Sequence, residues 1–331
     1  MNIKVNTEKR TELVTGTDTF FIGVDIGGTK TAVSIARSDG KIIAETRFAT
    51  ESHYRKVIEE ITASIHDLKT SVESGRFDGN RAENSLRREI KAIGISCGGP
   101  LDSTRGIIQS PPNLPTWNNI PIISILEEQS GIPCYLENDA NADVLAEWYW
   151  GSGQGCSNIV FLTFGTGIGA GFIFNGELYR GANGLAGEIG HTRIADSGPF
   201  VYGKTGSLES YCSGTGISEL YKQNHGINLS AREVCNLAQK GDIQALELIE
   251  TSGRMLGKSL AILIDLLNPE CIIIGSIFTR CENLFRPIIE KVITSETLAG
   301  PRRVCSIRPS GLGENLGNMA AIGVAINSYK K

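Results

Sequence analysis

An aspartate, two adjacent glycines, a hydroxyl and an ammonium group stand together at residues 25–30, which read DIGGTK. Adjacent glycines let backbone N–H groups approach an anion without interference from a Cβ atom, and Thr29 and Lys30 could then contact phosphate oxygens. The Asp25 carboxylate suits magnesium, which prefers one or two carboxylates together with water and nucleotide oxygens. The segment therefore predicts a phosphate loop with a magnesium ligand beside it.

The spacing of these residues argues against two common nucleotide folds. It differs from the G-x-x-x-x-G-K-[ST] pattern of a P-loop and from the G-x-G-x-x-G pattern of a dinucleotide fold. Apolar runs flank the motif at 20–24 and 31–35, which predicts a strand, a turn and a second strand rather than a turn that opens a helix. Taken alone, the motif is also compatible with a Gly-Gly hairpin that carries an incidental aspartate.

A second glycine-rich turn reads TFGTGIGAG at residues 163–171 and again lies between apolar runs, at 158–162 and 172–174. The chain thus uses the same strand, turn and strand unit near the start of each half. This repetition predicts two similar domains that face one another across a cleft, each offering a backbone loop to one nucleotide.

These two turns resemble the phosphate loops of the actin-like sugar kinases, specifically the ROK family of repressors and hexose kinases. Four further segments match in the family's order: CGGPLD at 97–102, PNLP at 112–115, ENDANA at 137–142 and GEIGH at 187–191. The resemblance extends from about residue 20 to about residue 330. It implies an α/β fold of two actin-like (ribonuclease H-like) domains, with a nucleotide and sugar cleft between them.

The resemblance also implies ATP and Mg²⁺ as cofactors and a glucokinase-like transfer of phosphate to a hexose. The expected nucleotide contacts are Asp25, Gly27, Gly28, Thr29, Lys30, Gly165, Thr166, Gly167 and Gly275, with Asp25 also holding magnesium through water. The expected sugar contacts are Gly99, Asn113, Asn138, Asp139, Glu188, His191 and Glu209. Contacts to adenine are expected near Gly275 and the turn at 313–315, although Ile277 and Phe278 stand where the family has further glycines.

Asp139 is the candidate catalytic base. Phosphorylation of a hydroxyl needs in-line positioning, neutralisation of phosphate charge and a carboxylate that accepts the hydroxyl proton. Asp139 follows the predicted strand 133–137 and precedes a helix predicted from Asn141, and it matches the catalytic position of the family. An aspartate in front of a helix also commonly serves as an N-cap, so the structural alternative is a cap.

One family feature is missing from this chain. Most members join a histidine at the His191 position with three cysteines, written C-x-C-G-x-x-G-C-L-E, in a structural zinc site. Here the aligned segment 200–209 reads FVYGKTGSLE, so Phe200, Tyr202 and Ser207 replace the cysteines. A closed zinc site needs four Cys or His ligands, and we therefore expect no zinc. We expect Phe200 and Tyr202 to form a small aromatic core in its place.

Composition is that of an ordinary folded protein with 331 residues, 40% of them hydrophobic and 21% charged. The formal net charge of −4 and the absence of a dense basic stripe argue against a nucleic-acid surface. The eight cysteines form no C-x-x-C pair and no signal-like apolar segment opens the chain, which predicts a reducing cytoplasm without a membrane partner. A homodimer is the default expectation.

Elements that would position these residues follow from periodicity. Strands are expected at 19–26, 30–37, 41–48, 90–96, 133–137, 158–164, 168–174, 271–274 and 303–308, and helices at 53–72, 141–150, 243–267, 282–294 and 318–328. Residues 1–18 predict a mobile arm or edge strand, and 73–88 a loop. The expected domains are 1–140 with 310–331, and 141–309.

Three functions are compatible with these residues. The first is an ATP-dependent hexose kinase, with glucose or an N-acetylhexosamine as substrate. The second is a sugar-binding regulatory protein that is catalytically weak; since only 24 residues precede Asp25, we expect no winged helix, which would take about 60–80 residues. The third, nucleotide binding without a sugar, is disfavoured by Asn113, Glu188 and Glu209.

Overall fold

A computed structural model describes residues 19–74, 76 and 88–330. The described residues form two compact units, one containing those up to Asp139 together with 317–330, and the other containing 140–316. The segment 310–316, expected in the first domain, groups with the second unit. The Glu147 carboxylate explains this grouping, because it accepts hydrogen bonds from Ser310 Oγ at 2.5 Å and Gly311 N at 3.1 Å. The expected arm at 1–18, and all of the expected loop at 73–88 except residues 73, 74, 76 and 88, lie outside the described residues.

In the described part of the first unit, five strands form a mixed sheet. They are β1 (Thr19–Ile26), β2 (Lys30–Arg37), β3 (Ile42–Ala49), β4 (Glu89–Cys97) and β7 (Cys134–Asn138), in the order β3-β2-β1-β4-β7. β1, β2 and β3 are an antiparallel meander, whereas β4 runs parallel to β1 and β7 parallel to β4. A short hairpin, β5 (Leu101–Asp102) and β6 (Ile107–Ile108), follows β4.

Helices cover both faces of this sheet. α1 (Tyr54–Glu73) and α2 (Ile122–Ser130) share a buried cluster with Phe20, Ile22 and Val24 of β1. The alternate residues of β1 point to the other face, where α10 (Leu316–Tyr329) packs. Because both faces are buried, the central residues of β1 and β4 form continuous apolar runs rather than an alternating pattern.

The contact between α10 and the sheet requires two glycines. Gly23 of β1 and Gly94 of β4 are register partners, so together they leave a strip of sheet without side chains. A methyl group on Gly94 would lie 2.1 Å from the Ala321 carbonyl oxygen and 2.4 Å from the Ala325 nitrogen. The backbone of α10 thus lies directly on the sheet, and its first turn reaches Asp25 at the end of β1.

The second unit repeats the sheet topology of the first. Its described strands are β8 (Ile159–Leu162), β9 (Ala170–Phe174), β10 (Glu177–Tyr179), β13 (Cys271–Ile274) and β14 (Ser306–Pro309), in the order β10-β9-β8-β13-β14. An antiparallel meander is again extended by two parallel strands. A separate hairpin pairs β11 (Phe200–Val201) with β12 (Lys204–Thr205).

The remaining helices surround this second sheet. They are α3 (Asp139–Trp150), α4 (Leu208–Tyr211), α5 (Gly214–His225), α6 (Ala231–Gln239), α7 (Ile243–Leu267), α8 (Ile277–Glu296) and α9 (Ala299–Val304), with 3₁₀ turns at Ile189–His191 and Gly313–Asn315. α4 to α8 contribute to one buried cluster with β8, β9 and β13. Within the described residues, no helix is both long and apolar enough to cross a lipid bilayer.

Most expected elements are confirmed, and the differences have local causes. The expected strand at 303–308 is wrong in its first half, where α9 stands, and β14 occupies 306–309. Proline fits the first turn of a helix, as Pro301 does here, and Leu298 N donates to Asp265 of α7 at 3.1 Å. The periodicity did not identify α2, α5 and α6. α8 is kinked at Cys281, and the helix expected from 282 corresponds to its part after the kink.

Substitution of Gly94 by alanine tests the close packing of α10. The added methyl group would meet backbone atoms that cannot rotate away, so we expect Gly94→Ala to lower the free energy of unfolding by about 1–3 kcal/mol or more. Urea unfolding followed by tryptophan fluorescence measures this change. Gly300→Ala is the matched control, because no neighbouring atom lies within 4 Å of the position that its methyl group would take. Equal effects of the two substitutions would contradict the packing assigned to Gly94.

Candidate functional site

The first glycine turn connects β1 to β2 and contacts one of the residues that are predicted to bind the sugar. Gly27 N donates to the Lys30 carbonyl at 3.0 Å and closes the turn, and Thr29 and Lys30 are exposed. A methyl group on Gly28 would lie only 2.8 Å from Asn113 Cβ. The turn therefore brings its backbone against Asn113, which is about 85 positions away along the chain.

Asp139 lies at the junction of β7 and α3. α3 begins at Asp139 itself rather than at 141, so the aspartate belongs to the first helical turn and is not a residue that precedes the helix. A negative side chain is favoured at this end of a helix. The Asp139 side chain is exposed to solvent, as a base that must reach a substrate would need to be.

The turn at Gly98 and Gly99 gathers the predicted residues of the first unit. A methyl group on Gly98 would lie 3.7 Å from Asp139 Oδ2 and 3.6 Å from the amide of Asn113, and one on Gly99 would lie 3.4 Å from Asn138 Nδ2. The Gly99–Pro100 peptide is cis. Asn113, Asn138 and Asp139 thus lie around the half-buried Gly98–Gly99 turn and provide two amide groups and one carboxylate for a polar ligand.

Asp25 carries a carboxylate whose pKa is raised well above its ordinary value. Burial at the end of β1, and then the like charge of Asp139, raise the pKa of Asp25 to about 6, while the positive charge of Arg47 opposes them. The two carboxylates therefore lie close enough to repel each other. The Gly317 backbone of α10 packs against the Asp25 carboxylate, and a methyl group there would lie 2.3 Å from Oδ2.

Arg47 contributes positive charge to the Asp25 environment, and the sequence motifs did not predict it. In the β1-β2-β3 meander, Asp25 is the register partner of Ala32, and Ala32 is the register partner of Arg47. The three residues lie in one row on the same face, and the small alanine between them leaves room for the guanidinium. Arg47 also pairs with Glu45, which accepts a hydrogen bond from Asn318 Nδ2 at 2.7 Å. The register of the three strands is the feature that would have indicated the proximity of Arg47 to Asp25.

A divalent cation fits the Asp25 environment. Magnesium is commonly held by one or two carboxylates while retaining waters and nucleotide oxygens, so a large cluster of protein ligands is not required. Among the described residues, no group of three or more His, Cys, Asp or Glu side chains has the geometry of a metal site. The neighbouring Asp25 and Asp139 carboxylates carry negative charge that a cation would neutralise.

The second glycine turn connects β8 to β9 and is held by backbone hydrogen bonds. Gly165 N donates to Gly167 O at 3.1 Å, and Gly214 N, at the start of α5, donates to Gly165 O at 2.7 Å. Thr166 is exposed at the tip. Gly275 follows β13 and is followed by Ser276. A methyl group on Gly165 would lie 3.6 Å from Ser276 Oγ. Gly165, Thr166, Gly167 and Gly275 therefore lie in one region of this unit.

The residues of the second unit that are predicted to bind the sugar lie beside the same turn. Glu209, at the start of α4, accepts a hydrogen bond from Ile168 N at 3.0 Å. Its pKa is raised mainly by burial and further by Glu188, while the Ile168 bond and His191 lower it. Glu188 and His191 are exposed, so a polar ligand could reach both. Glu188, His191 and Glu209 thus form one cluster with two carboxylates and an imidazole.

The segment that replaces the zinc site differs from the expected aromatic core. Phe200 and Tyr202 are 69% and 58% exposed, so they do not form a buried cluster. Hydrogen bonds hold the segment: Lys204 Nζ donates to His191 O at 2.5 Å, Arg193 Nη1 donates to Thr205 O at 2.9 Å, and the Ser207 hydroxyl caps α4. The nearby Cys212 is a fully buried thiol whose pKa burial raises to about 12.

Known proteins of one family resemble this chain over most of its length. The family model described as "ROK family" matches residues 21–327. The chain is 35% identical over 290 residues to a glucokinase of Thermotoga maritima, covering 82% of this chain and 86% of the relative. It is 30% identical over 297 residues to the transcriptional regulator NagC of Escherichia coli, covering 86% of this chain and 70% of the regulator.

Solved structures confirm the expected fold class. A ROK hexokinase of Thermus thermophilus has a TM-score of 0.79 at 29% identity and covers 94% of this chain and 99% of its own. A ROK glucokinase of Streptomyces griseus, solved with glucose and AMPPNP, has a TM-score of 0.72 at 27% identity and covers 92% of this chain and 99% of its own. The chain thus has the two-domain actin-like ATPase fold.

The perturbed Asp25 carboxylate predicts a pH-dependent stability. Its folded-state pKa of about 6 exceeds the unfolded value of about 3.9, so the folded state binds the proton more tightly and loses stability as the pH rises from about 4 to above 6. We expect Asp25→Asn to stabilise the ligand-free protein at pH 8 by about 1–2 kcal/mol, less than the full shift would give because the group is partly exposed. Melting temperature against pH, without magnesium or nucleotide, measures this.

Asp67→Asn, on the exposed face of α1, controls for the loss of one surface charge in the same unit. At pH 4 we expect wild type and Asp25→Asn to differ little, since the wild-type carboxyl is then mostly protonated. A lower melting temperature of Asp25→Asn at pH 8 would show that the carboxylate stabilises the fold and would contradict the repulsion described here.

The hydrogen-bonded segment at 200–207 predicts that stability does not depend on zinc. Its cohesion comes from Lys204, Arg193 and the Ser207 cap, so extraction of metal should leave the melting temperature within about 1 °C of the untreated protein. Dialysis against a strong chelator, followed by metal analysis and thermal unfolding, tests this. Stoichiometric zinc in the purified protein together with a large loss of stability on chelation would contradict it.

Proposed function

The chain belongs to the ROK family, and on that premise we propose that it is an ATP-dependent hexose kinase. Glucose is the proposed acceptor, because relatives from Thermotoga maritima and Halalkalibacterium halodurans are named glucokinases, at 35% and 32% identity. The observation that carries the proposal is the exposed Asp139 carboxylate beside Asn113, Asn138 and the Gly98–Gly99 turn. A base and hydroxyl-recognising amides are what a kinase requires at its acceptor.

Asp139 would act as the general base. Asp139 stands in the first turn of a helix, where a negative side chain is stabilised, and a carboxylate can accept a hydrogen bond from the attacking hydroxyl. As the hydroxyl oxygen attacks the γ-phosphorus, Asp139 takes its proton, and ADP leaves with the electron pair of the broken bond. Asn113 and Asn138 would orient the hydroxyl, since an amide can both donate and accept.

Asp25 would serve the nucleotide rather than the sugar. It is half-buried and its carboxylate is repelled by Asp139, so a magnesium ion held near this position would relieve an existing electrostatic cost. Magnesium-bound ATP supplies an electrophilic γ-phosphate whose negative charge is partly neutralised. The backbone of the two glycine turns, with Thr29, Lys30 and Thr166 exposed on them, would hold the phosphates.

Glu188, His191 and Glu209 would select the sugar. Carboxylates accept hydrogen bonds from ring hydroxyls, and two of them at fixed positions distinguish hydroxyls by direction. The Ile168 N–H fixes one oxygen of Glu209 at 3.0 Å, which orients the other oxygen. A site of this kind rejects an analogue that lacks a bonded hydroxyl more strongly than one that carries an added group.

A sugar-responsive regulator is the second candidate, because the relative NagC of Escherichia coli is named a transcriptional regulator and matches at 30% identity. The related name "N-acetylglucosamine repressor" also favours an N-acetylhexosamine as an alternative acceptor. We propose the kinase first because the carboxylates Asp25 and Asp139 are both present with the loops that a phosphoryl transfer needs. We further propose a cytoplasmic homodimer without nucleic-acid or membrane partners.

Sugar-dependent release of ADP tests the proposal. Purified protein with Mg²⁺ and ATP is assayed against hexoses and N-acetylhexosamines, and we expect glucose to give the largest stimulation. Asp139→Asn should reduce that turnover by about 10²–10⁴-fold, because the amide cannot take the proton. Asp102→Asn, a carboxylate in the nearby hairpin that accepts from Arg105 N at 2.9 Å, is the matched control and should retain activity.

Sugar binding must be measured on the same samples to separate the candidates. Binding of a panel sugar, seen as a rise in melting temperature, without stimulated ADP release would favour the regulator. Strong turnover by Asp139→Asn would contradict the assignment of the base while leaving the kinase intact.

A further inference from the structure

Tyr202 stands in a backbone conformation that its side chain disfavours. The hairpin of β11 and β12 is closed by the two-residue loop Tyr202-Gly203, whose φ angles are 48° and 72°. Positive φ at both positions is the pattern of a type I′ turn, which strongly prefers Asn-Gly. A tyrosine therefore occupies the position where asparagine would be more stable. Residues held in disfavoured backbone regions occur preferentially at functional sites.

The hairpin is attached by two connections to the cluster of Glu188, His191 and Glu209, which is proposed to bind the sugar. In the first, Lys204 Nζ of β12 donates to the carbonyl of His191 at 2.5 Å. In the second, the chain that leaves β12 passes through Gly206, whose carbonyl accepts from Ile194 N at 2.9 Å, and enters α4, which carries Glu209 near its first turn. The base of the hairpin is thereby attached beside His191 and next to the helix that carries Glu209.

The Tyr202 ring is accessible at the end of a hairpin that is attached beside this cluster. Partial burial and the Glu209 carboxylate raise the pKa of the Tyr202 phenol, so the hydroxyl end lies within electrostatic reach of Glu209. Even so, 58% of the residue is exposed, although a large aromatic surface is usually buried in a folded protein. An exposed ring beside a carboxylate and an imidazole suits a ligand that has both hydroxyls and an apolar face.

We propose that Tyr202 is a specificity-determining contact for the sugar, in which its ring packs against the C–H face of a pyranose whose hydroxyls bind Glu209 and His191. Pyranose rings carry their hydroxyls at the rim and hydrogens on their faces, so an amphipathic aromatic ring complements them. This assignment rests on the proposed sugar function and deepens it. It also gives a role to a position that has lost a metal-ligating cysteine relative to the family pattern.

Three substitutions at Tyr202 and one matched control test the proposal. Tyr202→Ala removes the ring, Tyr202→Phe keeps the ring and removes the hydroxyl, and Tyr202→Asn replaces the ring with the residue that the turn prefers. Phe200→Ala is the control, since Phe200 is the other exposed aromatic residue of the same hairpin. For each protein, KM for the sugar, KM for ATP, kcat and the melting temperature are measured, with sugar affinity determined by calorimetry.

We expect Tyr202→Ala and Tyr202→Asn to raise KM and Kd for the sugar by about 5–20-fold while KM for ATP and kcat change less than about twofold, the pattern of lost ground-state binding. Tyr202→Phe and Phe200→Ala should remain within about twofold of wild type. Tyr202→Asn should also raise the melting temperature, because it relieves the turn. A purely structural tyrosine would show the opposite, a lower melting temperature upon replacement.

Two results would overturn the proposal. One is an unchanged sugar affinity of Tyr202→Ala; the other is a loss of kcat and of ATP affinity in parallel with sugar affinity, which would indicate damage to the fold. Failure of the proposed sugar function would give a different result. In that case the wild-type protein itself would bind none of the sugars in the calorimeter.

Discussion

Docking of α10 onto the bare strip formed by Gly23 and Gly94 is the constraint on which the first unit depends. Two register-paired glycines allow the helix backbone to lie on the sheet, and the small residues of α10 complete the contact. This places Gly317, in the first turn of α10, against the Asp25 carboxylate. A helix N-terminus and a carboxylate are thus brought together at the end of β1, beside the glycine turn. The position of Asp25 therefore depends on the packing of the α10 backbone against the sheet.

Periodicity predicted much of the fold because it reports which faces are buried. α7 was predicted with its bounds, since its apolar residues recur at helical spacing and Asp242 caps it by accepting from Ala245 N. β1 and β2 were predicted because apolar runs flank a tight turn. The short strand and helix around 299–309 could not be separated in this way, because Gly300 and Pro301 interrupt any pattern and the contact with Asp265 is distant in sequence. The repeated strand, turn and strand unit predicted two similar domains, and the family resemblance added the identity of their fold.

The site was predicted as a list of residues, whereas its energetics required the structure. Nothing in the motif around Asp25 indicates that Asp139 repels it or that Arg47 reaches across Ala32, because both depend on neighbouring strands. The expectation that Phe200 and Tyr202 would be buried failed for a related reason. Aromatic residues are apolar by composition, but a two-residue hairpin turn directs them to solvent unless another element covers it.

The central claim is that two neighbouring carboxylates have different tasks, Asp25 for the magnesium nucleotide and Asp139 for the hydroxyl proton. Calorimetric titration of wild type, Asp25→Asn and Asp139→Asn with magnesium and a non-hydrolysable ATP analogue, in the presence of the sugar, tests it most directly. We expect Asp25→Asn to weaken nucleotide binding by about tenfold or more, in the range usual for loss of a group that supports a metal. Asp139→Asn should lose less nucleotide affinity than Asp25→Asn, because Asp139 is assigned to the hydroxyl proton and contributes only a neighbouring charge to the metal. The reverse ranking, with nucleotide binding lost in Asp139→Asn and retained in Asp25→Asn, would contradict this division of tasks.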